Sequence, residues 1–306
     1  MNVRLTTLSL GTAALVTLAA PVIAQTKFAQ TAVFDVPEAN QAVAVDKDFF
    51  YAIDNATIAK YTKGGQFVSK WVGDAGGPII HLDSGVVVRG KLYAAHSNYR
   101  KFPMTSSIEV WETRTLKHIG SHSIGISLGS LTWLDQNDGS WYGAFASYDK
   151  TGQLPNGTST ALPYASVPQI GKISSTIVRF NADWQVVESW VFPAALLDKF
   201  GDMSNSGGSW GPDGRLYITG HDNSEVYKIR FPEAGSVLEV EEIIPAAVRG
   251  QGIAWDPVER SKFYGVIRAT DAETSQGITN KVVVFQTNVS KRDPKDWLKD
   301  IYRFRP

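Results

Sequence analysis

Short segments that alternate apolar and polar residues run the length of this chain, and one of them recurs five times. Phe49-Phe50-Tyr51-Ala52-Ile53-Asp54, Lys91-Leu92-Tyr93-Ala94-Ala95-His96, Ser140-Trp141-Tyr142-Gly143-Ala144-Phe145, Arg215-Leu216-Tyr217-Ile218-Thr219-Gly220 and Lys262-Phe263-Tyr264-Gly265-Val266-Ile267 each place Tyr third. A period of two between tight turns containing Asp or Gly is the mark of antiparallel strands. The repeats lie about forty to fifty residues apart, a spacing typical of propeller blades. The exception is the interval holding Tyr148 to Ser174, a Gly-, Pro-, Ser- and Thr-rich insert of the kind that forms a lid or binding loop. The pattern predicts an all-β fold, a β-propeller of five blades, or of six if one unit is cryptic.

Each blade needs four antiparallel strands. The last unit offers three, at Gly252 to Trp255, Phe263 to Arg268 and Lys281 to Phe285, while Gln30 to Val36 stands unassigned near the other end of the chain. The expectation is that this N-terminal strand completes blade five and closes the ring, which leaves no open sheet edge. The propeller then occupies residues 25–292, and 293–306 form a tail, a short helix or strap on the outside.

The first residues read differently. Arg4 is followed by the largely apolar stretch Leu8 to Ala20 and by Val22-Ile23-Ala24, the form of a secretory signal peptide cut before Gln25. The apolar run is short for a membrane span, and no later segment is apolar enough to cross. Removing Arg4 with this segment leaves 29 basic and 30 acidic residues without a basic patch, which argues against nucleic acid as a partner. There is no Cys, so stability must come from packing and not from disulfides. A secreted or periplasmic monomer follows, with no membrane partner.

Propeller topology brings the ends of the second strands and the loops leading into the next first strands to one mouth. That places Asp54, Asn55, His96, Asn98, Ser147, Tyr148, His221, Asp222 and Arg268 together, with Gln41, His81, Asp83, His122, Ser209 and Gln251 from the inbound loops. Four of the five His fall on this face, and only His118 falls elsewhere. His96, His221 and Tyr148 are therefore the candidate catalytic groups, since His exchanges protons near neutral pH. Arg268, Asn98, Asp222 and Gln251 are the candidate substrate-binding groups, because an Arg fork can grip a carboxylate. His81, His96, His122 and His221 could together hold a divalent metal, zinc or manganese, although their spacing matches no compact metal motif. No Gly-x-Ser-x-Gly elbow or phosphate loop is present. The mouth residues differ from blade to blade, which favours one composite site over a repetitive lectin.

The segments His96-Ser97-Asn98-Tyr99 with Pro103-Met104-Thr105-Ser106-Ser107, and Gly220-His221-Asp222-Asn223, resemble secreted bacterial and fungal propellers of NHL and lactonase-like type that are often labelled cycloisomerase. The resemblance covers most of the mature chain. It implies an enzyme that moves protons on a small carboxylate-bearing or carbohydrate-derived substrate, as a cycloisomerase or lyase. The alternatives are a metal-assisted lactone or ester hydrolase and a non-catalytic binding propeller.

Overall fold

The computed structural model describes residues 25–99, 101, 103–126, 128–148 and 172–291. The signal-peptide assignment, the tail and most of the long insert therefore lie outside the described residues. In chain order the strands are β1 (Phe28–Asp35), β2 (Ala42–Val45), β3 (Phe49–Asp54), β4 (Thr57–Thr62), β5 (Phe67–Val72), β6 (Leu82–Val88), β7 (Lys91–Ser97), β8 (Ser106–Glu112), β9 (Lys117–Gly125), β10 (Ser130–Asn137), β11 (Ser140–Ala146), β12 (Thr176–Phe180) and β13 (Val186–Val191). They continue as β14 (Gly207–Trp210), β15 (Leu216–Thr219), β16 (Glu225–Arg230), β17 (Glu239–Pro245), β18 (Ala254–Trp255), β19 (Lys262–Ile267) and β20 (Lys281–Thr287). Two short helices, α1 (Ala194–Lys199) and α2 (Asp271–Ser275), sit in connections.

These strands form five antiparallel four-stranded sheets, the blades of a propeller. The N-terminal strand β1 pairs antiparallel with β20, from Phe28 opposite Thr287 to Asp35 opposite Lys281, and so completes the last blade. Ring closure is as the sequence suggested, with the strand starting two residues earlier than Gln30. The first strand of that blade is shorter than expected, because only Ala254 and Trp255 pair with β19.

The core is divided among the interfaces between blades. One apolar cluster joins each adjacent pair, such as Phe50 and Val43 with Tyr264 and Val282 between blades one and five. This explains the repeated Tyr. Tyr93 packs on Trp141, Tyr142 on Trp210 and Tyr217 on Trp255, each on the following blade, at ring separations of 4.7, 4.9 and 5.0 Å. Tyr264 returns to Phe50 of blade one at 6.3 Å, and Tyr51 joins the cluster shared with Leu92 and Trp111 of blade two. Each Tyr is an aromatic wedge that fixes the angle to the next blade. Tyr51 and Tyr217 also donate their hydroxyls to Asp46 and Asp213, at 2.6 and 3.0 Å, so the buried rings keep a polar partner.

Candidate functional site

The mouth predicted from topology is assembled by backbone bonds between neighbouring blades and, at Ser97, within blade two. The amides of Leu82, Ser97, Gln251 and Gly252 donate to the carbonyls of Asn55, His81, Gly220 and Gln41 at 2.8–3.0 Å. Gly252 is required at this seam, because a Cβ there would lie 2.3 Å from that of Ala42 and 2.9 Å from Ser84 Oγ. Gln251 adopts a left-handed backbone (φ 64°), an unusual state for a non-glycine residue.

Asp83, on β6, is the electrostatic centre. It is 7% exposed, and its Oδ1 lies 3.4 Å from His81 Nε2. His81 Nδ1 is 2.6 Å from Asn55 Oδ1, so that nitrogen donates and Nε2 faces the carboxylate. Asp83 acts through space on His96 of blade two, Tyr148 of blade three and His221 of blade four. Its Oδ2 is buried without a partner, as are Ser84 Oγ and Gln251 Nε2. Buried polar atoms in folded proteins are nearly always bonded, so these three call for water or a ligand.

His221 and Arg268 form the second part. His221 Nδ1 is 2.7 Å from Asp222 Oδ2, which orients the ring, and Arg268 Nη2 lies 3.2 Å from His221 Nε2. The same guanidinium reaches Asp222 Oδ1 at 3.4 Å. Burial lowers the His221 pKa most, Arg268 lowers it further and Asp222 opposes, with a net downward shift. The imidazole is thus neutral near pH 7. Arg249 steadies this loop by donating to the Arg268 carbonyl at 3.2 Å while binding Glu273 with both terminal nitrogens. Glu273 and Thr270 make the capping box of α2.

Tyr148 keeps some solvent exposure, yet crowding of its hydroxyl, followed by the charge of Asp83, raises its pKa well above 10. It stays protonated. Its neighbour Ser130 passes a hydrogen bond to Ser97 at 2.8 Å, and the Tyr148 ring lies tilted at 5.1 Å from Tyr99, whose ring in turn approaches His81 at 5.1 Å.

Three candidates sit differently from the sequence expectation. His96 reaches the mouth, but both ring nitrogens are taken: Nε2 accepts from the Ile80 amide at 3.2 Å, and Nδ1 is 2.9 Å from Ser107 Oγ. Burial, its largest influence, lowers its pKa, which keeps it in this neutral tautomer. Asn98 spends its side chain inside its own loop, on the Pro103 carbonyl at 2.9 Å and the Thr105 amide at 2.8 Å. His122 lies in the outer strand β9 and not in an inbound loop, with its ring 5.8 Å from Trp184. It is therefore apart from the other three His of the proposed metal set, and no group of three or more His, Cys, Asp or Glu among the described residues could hold a metal ion. Asp83 and Ser84 emerge as members of the site that sequence reasoning underweighted. Their place in an inbound strand was legible, but their burial was not.

No protein-family model matches the chain, and no curated protein matches it. Solved structures do resemble it. The WD40 repeats of RRP9 are 11% identical, with 81% of this chain and 79% of that chain covered at a TM-score of 0.44. Virginiamycin B lyase from Staphylococcus aureus is 10% identical, covering 78% and 67% at 0.41. The PQQ-bound aldose sugar dehydrogenase from Streptomyces coelicolor is 10% identical, covering 86% and 99% at 0.45. At such identities none of them assigns an activity to this chain.

Proposed function

We propose that this protein is an exported propeller enzyme that moves protons on a small carboxylate-bearing substrate, as a cycloisomerase or lyase. The observation that carries this reading is the contact of His221 Nε2 with Arg268, in a ring oriented by Asp222. A substrate carboxylate gripped by Arg268 would draw the guanidinium off His221 Nε2, freeing that lone pair, and present its adjacent C–H to a neutral imidazole. His221 takes that proton, and the C–H electron pair forms the new double bond. The bond to the leaving oxygen then breaks, and Tyr148 supplies the proton that oxygen needs. A base kept neutral and an acid kept protonated within one mouth is the division of labour such a step requires. The Asp83–His81 pair would bind a polar group at the substrate's inner end. His96 holds the loop and takes no part in proton transfer.

The test is a screen of purified protein against lactones, muconates, unsaturated acids and uronic acids, followed by variants on any hit. His221→Ala is expected to lower kcat by about a hundred- to ten-thousand-fold. Arg268→Lys should chiefly raise KM, because an ammonium cannot reproduce the planar fork. Turnover that survives His221→Ala, or no turnover in any class, would leave the mouth as a binding site only. Export is checked separately, by the mass of the protein recovered outside the cytoplasm, expected to start at Gln25.

A further inference from the structure

The central channel has a second mouth on the opposite face, away from His81, Asp83, His221 and Arg268; Ser209, which the sequence placed at the first mouth, lines this one instead. It is a cavity of about 430 Å³ walled by the first strands of all five blades, β2, β6, β10, β14 and β18. The charged residues that line it are Arg89, Asp135, Asp256 and Arg260.

The two acids are already satisfied. Asp135 Oδ1 accepts from the Gln136 amide at 2.7 Å, and its Oδ2 accepts from the Trp210 amide at 2.8 Å and Ser209 Oγ at 3.0 Å. Asp256 Oδ2 is paired with Lys63 at 2.6 Å, and its Oδ1 accepts from the amides of Val258 and Glu259 at 2.9 Å. The donors are not satisfied. Arg89 and Arg260 form no ion pair among the described residues. The indole N–H groups of Trp210 and Trp255, both lining residues, are buried with no partner, and Trp255 is only 8% exposed. Arg89 is held at a hairpin tip whose backbone is left-handed at both Arg89 (φ 49°) and Gly90 (φ 76°). A cavity with spent acceptors and spare charged and neutral donors is complementary to an acceptor-rich anion.

We propose that this cavity is a second ligand site that takes a small oxyanion between Arg89 and Arg260. It is independent of the proton-transfer reading, since none of His81, Asp83, Tyr148, His221 and Arg268 lines it. Burial pushes the Asp135 carboxyl up to about 6, so this carboxyl loses its negative charge in mild acid. Arg89, Arg260 and Asp256, the last paired with Lys63, are the other charged groups lining it.

Calorimetric titration of the full chain with sulfate tests this, because sulfate keeps one charge state from pH 5 to pH 8. Saturable binding is expected, tighter at pH 5 than at pH 7.5. Arg89→Gln and Arg260→Gln should each weaken it by about tenfold, the scale of one lost charged contact. Both side chains are exposed, so melting without sulfate should not change, which separates lost binding from lost fold. Arg268→Gln, at the opposite mouth, should leave this binding intact. The proposal is overturned if wild type does not bind sulfate, if binding survives the Arg89→Gln/Arg260→Gln double variant, or if only Arg268→Gln removes it.

Discussion

Phe28→Ala probes ring closure with a single side chain. Phe28 sits near the start of β1, and its ring lies 4.7 Å from Phe263, 6.0 Å from Trp255 and Phe285, and 6.3 Å from Tyr217. It therefore touches blade five, which it completes, and blade four beside it. Truncating a core Phe costs about 3–5 kcal/mol, and Phe28 is only partly buried, so the low end, about 3 kcal/mol, applies. For a domain of this size each kcal/mol lowers Tm by about 2–4 °C, so a fall of about 6–12 °C is expected. Val33→Ala on the same strand is the control. Val33 is 41% exposed and its truncation should stay within about 0.5 kcal/mol. Removing residues 25–37 should go further and abolish cooperative melting, since it strips β20 of its partner and removes the fully buried Val36. Thermal melts followed by circular dichroism read all three. If Phe28→Ala melts with Val33→Ala, or the truncated chain keeps its Tm, β1 does not hold the ring closed and the packing argument fails.

Two further outcomes follow from the same packing. Gly252→Ala should destabilise the fold by about 1–3 kcal/mol, the usual range for overpacking, and a denaturant midpoint measures it. Burial raises Asp135 from 3.8 to about 6, so the native state binds its proton more tightly than the unfolded chain does. This contribution to stability is full below about pH 4, is lost as pH rises to about 6, and amounts to about 3 kcal/mol. The difference in stability between wild type and Asp135→Asn, from urea melts at pH 4 and pH 7, should shift by that order, and a pH-independent difference would sink the assignment.

The blades were legible because the alternation and the repeated Tyr record a local requirement, a wedge against the next blade at one strand position. Closure by β1 was legible by counting strands. His122 was misplaced because Lys117 to His122 reads as the whole outer strand with His122 at its loop end, yet β9 continues to Gly125 and pairs with Ser106, Ser107 and Ile108. His96 is tied to an amide sixteen residues earlier and to a cross-strand Ser, and neither partner has a sequence signature. The second mouth was invisible for another reason. Its walls come from the inner strands of all five blades, and its two Arg come from separate turns.

His96 and His221 stand at the ends of equivalent strands, and a small difference in register gives them opposite chemistry. His96 lies inside β7, directly opposite Ser107 of β8. That pairing ties it to a buried chain: Ser107 donates to Glu109 at 2.7 Å, and Glu109 also receives Ser121 at 2.8 Å and His118 at 2.8 Å. Glu109 is 5% exposed and needs every one of these donors, so the chain is fixed from the outer strand to the Ile80 amide. Protonating His96 Nε2 would set two donors against each other at that amide, which closes the route for proton transfer. His221 lies two residues beyond the end of β15, where no cross-strand side chain meets it. Its partners are its neighbour Asp222 and the Arg268 of the next blade, and the guanidinium at its Nε2 is the kind of group a substrate carboxylate can engage. A repeat that copies the strand but lets the chain beyond it vary can therefore place one histidine in the frame and leave another open to chemistry.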